Sequence, residues 1–291
     1  MAKPTGPSAK PGADFPVPGA SGGVPDAPEL EVQERVGRDP APAVTRSLKI
    51  LGVLADTEGP LTLTEIATAL GLAKSSTMNL CLALEEGGMV QRVPLGYQLG
   101  RRNAELGGAF AAQFNQIREF YSVCESSPVL RHEVVQVAML DDHDALYLAR
   151  HEGSRTVRFG TPLGSRIHAA LSATGNALLM GMEDERVQEL MAGQVPFPRS
   201  TDRSIREMPE LLEKLHRARE RGWALDPGEG MRGLLGVAVP LEGWAPGDPQ
   251  LALGAAIQEE RATEEHIERV AMALLDAARQ LTNPLGASAR K

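Results

Sequence analysis

Cysteine is nearly absent: Cys81 and Cys124 are the only two in 291 residues. They form no Cys-x-x-Cys pair and no disulfide framework, which fits a reducing, cytoplasmic setting and small buried hydrophobes. No run approaches the ~18 apolar residues of a membrane span. Lys3 and Lys10 have no apolar segment behind them, so the N-terminus does not read as a signal peptide. No repeat of solenoid length recurs. Positive charge is scarce. The net charge of −8 excludes charge-driven, sequence-blind coating of nucleic acid, though not a local reading surface. Catalytic patterns are missing too. His132, His143, His151, His168, His216 and His266 are scattered, without His-Glu-x-x-His spacing. There is no Gly-x-Ser-x-Gly elbow and no P-loop. These absences predict no enzyme, no cofactor and no metal centre.

What is present is ordinary globular composition, 42% hydrophobic and 23% charged, in a chain long enough for two domains. Residues 1–40 hold eight of the 21 prolines and six glycines without apolar periodicity, which predicts a disordered tail. A short disordered tail is also expected at 285–291.

Residues 41–100 read as a winged helix-turn-helix. "TRSLKILGVLADTEG" places Leu48, Leu51 and Leu54 at helical spacing, and Gly59-Pro60 stops it. In "LTLTEIATALG", Thr62 and Glu65 have capping-box spacing, and Gly71 turns the chain. A third helix follows to Glu86, with Thr77, Leu80, Cys81 and Leu84 inward. "MVQRVPLGYQLG" then supplies a two-stranded wing. From Ala41 to Arg102, six cations (Arg46, Lys49, Lys74, Arg92, Arg101, Arg102) stand against five anions (Asp56, Glu58, Glu65, Glu85, Glu86), a surplus of one. The start of the third helix partly offsets that shortage. Its backbone N–H groups can take a phosphate, and Ser75 and Ser76 add hydroxyl donors. Lys74, Ser75, Ser76, Met78 and Asn79 are the candidate base readers, with Arg46 and Arg92 as flanking contacts. Asn79 has the donor–acceptor pair that reads adenine, so an A·T pair is expected there.

Residues 101–121 read as one linking helix. Leu106, Phe110, Phe114, Ile117 and Tyr121 form a stripe that pairs with a second copy or packs on the protein's own domains. Residues 122–284 read as an α+β domain. "EVVQVAML" and "ALYLARHE" alternate as strands around the turn Asp141-Asp142-His143-Asp144, a polar turn rather than a metal site. "TVRFG", "LLGVAVPL" and "LALGAAIQ" are further strands. "SATGNALLMG", "PELLEKLHRARERG" and "TEEHIERVAMALLDAARQL" are helices. "GEGMRG" has dinucleotide-site glycine spacing but precedes a strand instead of opening a helix, so it reads as a loop.

Several blocks in order resemble the isocitrate-lyase-regulator (IclR) family of bacterial transcription factors. They are "RSLKILGVLAD", "LTLTEIATALGLAKSS", "LGSRIHAALSATGNALL", "ARERGWALDPGEG", "RGLLGVAVP" and "RATEEHIERV", within about residues 44–282. The resemblance implies a winged helix-turn-helix, a linker helix, and a GAF-like domain with an antiparallel sheet flanked by helices. It implies homodimers or tetramers on a double-stranded DNA operator, and a small-molecule effector such as an organic acid. The implied effector site comprises His168, Ser172, Ala173, Thr174, Asp226, Leu235, Gly236, Gly254 and Ala256. Arg166 and Arg232 are the nearest cations that could meet an effector carboxylate, and both are expected to be solvated instead. Two positions depart from the family pattern: Asn79 replaces an Arg, and Asn176 replaces a Lys after Gly175. The alternative expectation is a sensor that has lost specific DNA binding and acts through protein contacts.

Overall fold

The structure is a computed structural model that describes residues 39–153, 161–244 and 247–282. The expected tail at 1–40 lies almost wholly outside the described residues, as do the expected strand at 156–160 and the tail at 285–291.

Helix α1 (Pro42–Ala55) opens on a proline, whose fixed φ and missing N–H suit a first helical position. It buries Ile50 and Leu54, one turn apart, while Leu48 is 63% exposed. The inward stripe thus runs through Ile50 rather than Leu48, which shares an outer flank with Val44. Helix α2 (Leu63–Leu70) carries the expected capping box. The Thr62 hydroxyl accepts from Glu65 N at 3.3 Å, and the Glu65 carboxylate accepts from Thr62 N at 2.7 Å. Hydrogen bonds from Thr62 hold the Glu65 carboxyl below its ordinary value. Gly71, at φ +62°, turns the chain into α3 (Lys74–Glu86).

Strands β1 (Val90–Val93) and β2 (Gly96–Leu99) pair antiparallel as the wing. A Cβ on Gly96 would sit 2.2 Å from the Leu61 carbonyl oxygen, so only glycine lets the wing close on the segment before α2. Ile50, Leu54, Ile66, Cys81, Val90 and Tyr97 make the core of this unit.

The expected single helix at 101–121 is two helices. α4 (Arg102–Ala111) is followed by an extended Phe114 and then α5 (Asn115–Ser126). The break rephases the apolar stripe. Ile117, Phe120 and Cys124 point into the second core, while Tyr121 is exposed. No residue of α4 is buried.

The second unit is a six-stranded antiparallel sheet. It comprises β3 (Val134–Asp141), β4 (Asp144–His151), β5 (Arg166–His168), β6 (Ala224–Asp226), β7 (Leu234–Leu241) and β8 (Leu251–Gln258), with α6 (Ala173–Leu179) and α7 (Asp184–Met191) following β5, α8 (Met208–Arg221) preceding β6, and α9 (Glu264–Leu281) closing the unit. The sheet order is β5-β4-β3-β8-β7-β6. Strand alternation sorts its residues by size. Val237, Val239, Leu251, Leu253 and Ile257 face α5 and α9 in a large-residue core. Ala238 and Ala252 join Ala173, Ala177 and Ala218 on the other face, against α6 and α8. Small residues let α6 lie close. A Cβ on Gly254 would come 2.6 Å from Thr174 Cγ2, and one on Gly236 would come 2.8 Å from Ala173 Cβ. The β3–β4 register slips between Val137 and Ala138, where Val137 pairs with Ala149 and Ala138 with Tyr147. This bulge turns Tyr147 to the α6 face, although Ala149, two residues on, belongs to the α9 face.

Candidate functional site

Two regions hold the residues singled out in the sequence. The first is the outer face of α3. Lys74, Ser75 and Asn79 are exposed there, and Ser76 is half-buried. Thr77 is buried, and its hydroxyl donates to the Ala73 carbonyl at 3.1 Å, so it closes the helix start rather than facing outward. Met78 is half-buried, with its sulfur accepting from the Tyr97 hydroxyl at 3.9 Å. That contact leans Met78 toward the wing and away from the Asn79 face. Arg46 on α1 and Arg92 on β1 are exposed. Among the described residues, no ion pair joins two groups within 41–100, and Arg46, Lys74 and Arg92 make no side-chain hydrogen bond. The few cations of this unit are therefore uncommitted. Sequence reasoning missed Leu82, which is 50% exposed on the same helix face.

The second region is a cavity of about 60 Å³ between the α6 face of the sheet and the β6–β7 loop. Ser172, Ala173 and Thr174 reach it from the start of α6, and Leu235 and Gly236 from β7. Gly254 and Ala256 reach it from β8, and Asp226 from the end of β6. His168 does not line it. Its ring lies beside His143 and Phe197, and burial holds its pKa below the ordinary value. Sequence reasoning missed Tyr147 and Gln136. The bulge that turns Tyr147 inward leaves no mark in the alternation, and Gln136 lies on the doubly covered strand β3.

Most polar groups around the cavity already have partners. The hydroxyls of Tyr147 and Thr174 bond at 2.9 Å, and burial pushes the phenol upward. Ser172 accepts from Gly175 N at 3.0 Å and caps α6, while Gln136 donates to the Thr161 carbonyl at 2.8 Å. Asp226 accepts from Gly228 N at 2.9 Å and Glu229 N at 2.6 Å, the geometry of a turn-forming aspartate. Burial pushes its carboxyl above the ordinary value, against those hydrogen bonds and the nearby Lys214. Glu229 is pushed up by burial and held down by Lys214. The Lys214 ammonium, from α8, donates to Glu229 and to the Ala170 carbonyl, which fastens the β6–β7 loop to the approach to α6. Thr201 adds bonds to the Gly228 and Glu229 carbonyls from outside.

Arg166 pairs with Asp141 and Arg232 with Asp202, all exposed, and neither arginine lines the cavity. Asn176 is buried and donates to the Ala169 and Ala170 carbonyls at 2.7 and 3.2 Å, so this position is an internal brace of α6. The glycine-spaced "GEGMRG" segment is the loop from β6 into β7, with Gly228 and Gly233 at positive φ. Among the described residues, no group of three His, Cys, Asp or Glu side chains is placed to hold a metal, and no helix is long and apolar enough to cross a membrane.

Comparison with known proteins matches both domains in order. Residues 43–94 match the IclR helix-turn-helix domain, and residues 124–283 match the bacterial transcriptional regulator IclR C-terminal domain. The chain is 25% identical to the transcriptional repressor IclR of Escherichia coli over 248 residues, covering 84% of this chain and 90% of that protein. It is 27% identical over 280 residues to the acetate operon repressor of Salmonella typhimurium, covering 93% and 98%. Among solved structures, IclR of Thermotoga maritima superposes with a TM-score of 0.67 at 22% identity, covering 82% of this chain and 97% of that one. An IclR homologue of Microbacterium hydrocarbonoxydans, solved with 4-hydroxybenzoate, gives 0.69 at 23% identity, covering the same shares. These structural likenesses establish the fold, and the named relatives are repressors rather than enzymes. With both of its domains matched in order, the chain belongs to the IclR family of bacterial transcriptional regulators.

Proposed function

We propose that α3 reads a double-stranded DNA operator through Lys74, Ser75, Ser76 and Asn79, with Arg46 and Arg92 on flanking phosphates. A small effector in the cavity beside α6 shifts the affinity for that operator. The observation that carries the first part is the uncommitted state of Arg46, Lys74 and Arg92 beside an exposed Asn79. Met78 has a smaller part, since its sulfur is engaged by Tyr97.

The protein works as a homodimer or a tetramer. Helix α4 buries none of its residues, yet it exposes Leu106 at 47% and Phe110 at 39%. A second copy of α4 is the natural cover for that stripe. Mass measurement in solution, with Leu106→Glu as control, tests this. A monomeric wild type would end it. The reading domain spans 41–100 and the linker ends at the α4–α5 break, so α5 belongs to the effector domain whose core takes Ile117, Phe120 and Cys124. The mechanical joint lies at the break between α4 and α5.

The effector is a small organic acid or similar metabolite, whose oxygens would meet the donors Thr174, Tyr147 and Ser172 rather than a cation. The cavity of about 60 Å³ is smaller than the ~150 Å³ that accommodates benzene, so an aromatic effector requires the β6–β7 loop to move outward. Differential affinity for the two loop positions then shifts the population that binds DNA. The test is a thermal-shift screen of organic acids, followed by DNA binding with each hit. A hit that stabilises the protein without changing operator affinity would overturn the regulatory part.

A further inference from the structure

Ser75, Asn79, Leu82 and Glu86 share one face of α3, since steps of four, three and four residues return to the same side of a 3.6-residue helix. All four are exposed. Three of them are polar, and Leu82 stands among them 50% exposed. The other leucines of this helix behave differently. Leu80 and Leu84 pack against the core that holds Ile50, Cys81 and Tyr97. Leu82 is therefore an apolar group on a face otherwise suited to polar readout.

At 1.5 Å rise per residue, Ser75 and Leu82 lie about 10 Å apart along the axis. That span fits a major groove about 12 Å wide. Glu86 lies about 16 Å from Ser75 and falls beyond it. The groove offers one apolar feature to such a side chain, the C5-methyl of thymine.

Resting on the reading that α3 lies in the major groove, we infer that Leu82 is a specificity-determining residue that packs on a thymine methyl. Asn79, one turn earlier on the same face, reads an adjacent A·T pair. Contacts of this kind need no cation, which suits a segment, Ala41 to Arg102, with a surplus of only one positive charge. They favour T over C at one position of each half-site.

The test is selection of bound duplexes from a random-sequence library by the full-length wild type and by Leu82→Ala. The best wild-type site is then remade with each thymine in turn replaced by deoxyuridine, which removes only the methyl. The wild type is expected to select a thymine beside the adenine of Asn79 and to lose about three- to five-fold in affinity when that methyl is removed. Leu82→Ala is expected to lose the thymine preference and to bind the thymine and deoxyuridine sites equally. The deoxyuridine series needs no variant, so a misfolded Leu82→Ala does not rescue the inference. Unchanged selection by Leu82→Ala, or indifference of the wild type to every methyl, would overturn it while leaving the groove reading intact. A larger wild-type assembly that Leu82→Ala splits, with DNA selection unchanged, would assign the residue to a protein contact instead. A wild type that selects no sequence at all would overturn the groove reading itself.

Discussion

The two units are built on opposite plans. The effector domain buries residues on both faces of its sheet, with large aliphatics under α5 and α9 and alanines under α6. It ties its loops with charged and polar bonds, among them the buried Lys214–Glu229 pair. The reading domain has one small core, no internal ion pair among the described residues, and apolar side chains left outside: Val44, Leu48, Leu82 and Leu95. Both units leave some apolar side chains outside, Leu163 and Met272 in the effector domain among them; what sets the reading domain apart is that Arg46, Lys74 and Arg92 have no side-chain partner among the described residues. On the proposed reading its low charge is no obstacle to DNA binding, because Arg46, Lys74 and Arg92 are uncommitted and shape and base edges supply the rest.

Several substitutions sharpen or break that contrast. The largest effect is expected in the effector domain. Lys214→Met leaves Glu229 and Asp226 buried without their cation, and breaking a buried pair destabilises by about 3–5 kcal/mol. Urea unfolding of the full chain measures it. A loss no larger than that from removing the exposed Arg166–Asp141 pair, about 0–1 kcal/mol, would erase the contrast.

In the reading domain the large effect belongs to binding instead. Asn79→Ala is expected to weaken the best operator by about 1–3 kcal/mol with an unchanged melting temperature. Equal operator affinity for the two proteins would remove Asn79 from the reading surface.

Smaller again is the loss of the cap. Thr62→Ala is expected to destabilise by about 1 kcal/mol, read by the same urea titration, since one N-cap oxygen is lost from an exposed helix start. The subtlest effect is one of pH. The folded Asp226 carboxyl is raised by burial, so its stabilising contribution is present below the ordinary aspartate range and is lost as pH rises through the raised value. Asp226→Asn is therefore expected to gain on the wild type between about pH 4 and neutrality, with Lys214 and Glu229 as the neighbouring charges. Parallel urea midpoints would contradict the sign.

The contrast also explains what could be read from the residues alone. Local chemistry was legible where it is decided locally. Thr62 and Glu65 announce their cap, and Gly71 its turn. Elements decided by long-range packing were not. The three-residue strands β5 and β6 form only because longer strands lie beside them. The break at Phe114, whose backbone is extended, seats α5 on the effector core through Ile117 and Phe120 while α4 stays outside it, a placement decided by packing between distant elements. Tyr147 was hidden by a bulge, and His168 was expected in the cavity only through the family resemblance, whereas its ring lies beside His143 and Phe197. Asn176 is a short amide that donates to two buried carbonyls, a role its position after Gly175 did not announce.

The most direct test is fluorescence anisotropy of the purified protein against the DNA upstream of its own gene, at two salt concentrations, with unrelated DNA as control. Sequence preference that survives moderate salt, with a shallow salt slope, is the expected result for a domain with few phosphate contacts. Equal binding to both DNAs, or a slope as steep as that of a protein contacting many phosphates, would contradict the reading of α3 as a weakly charged, base-reading helix.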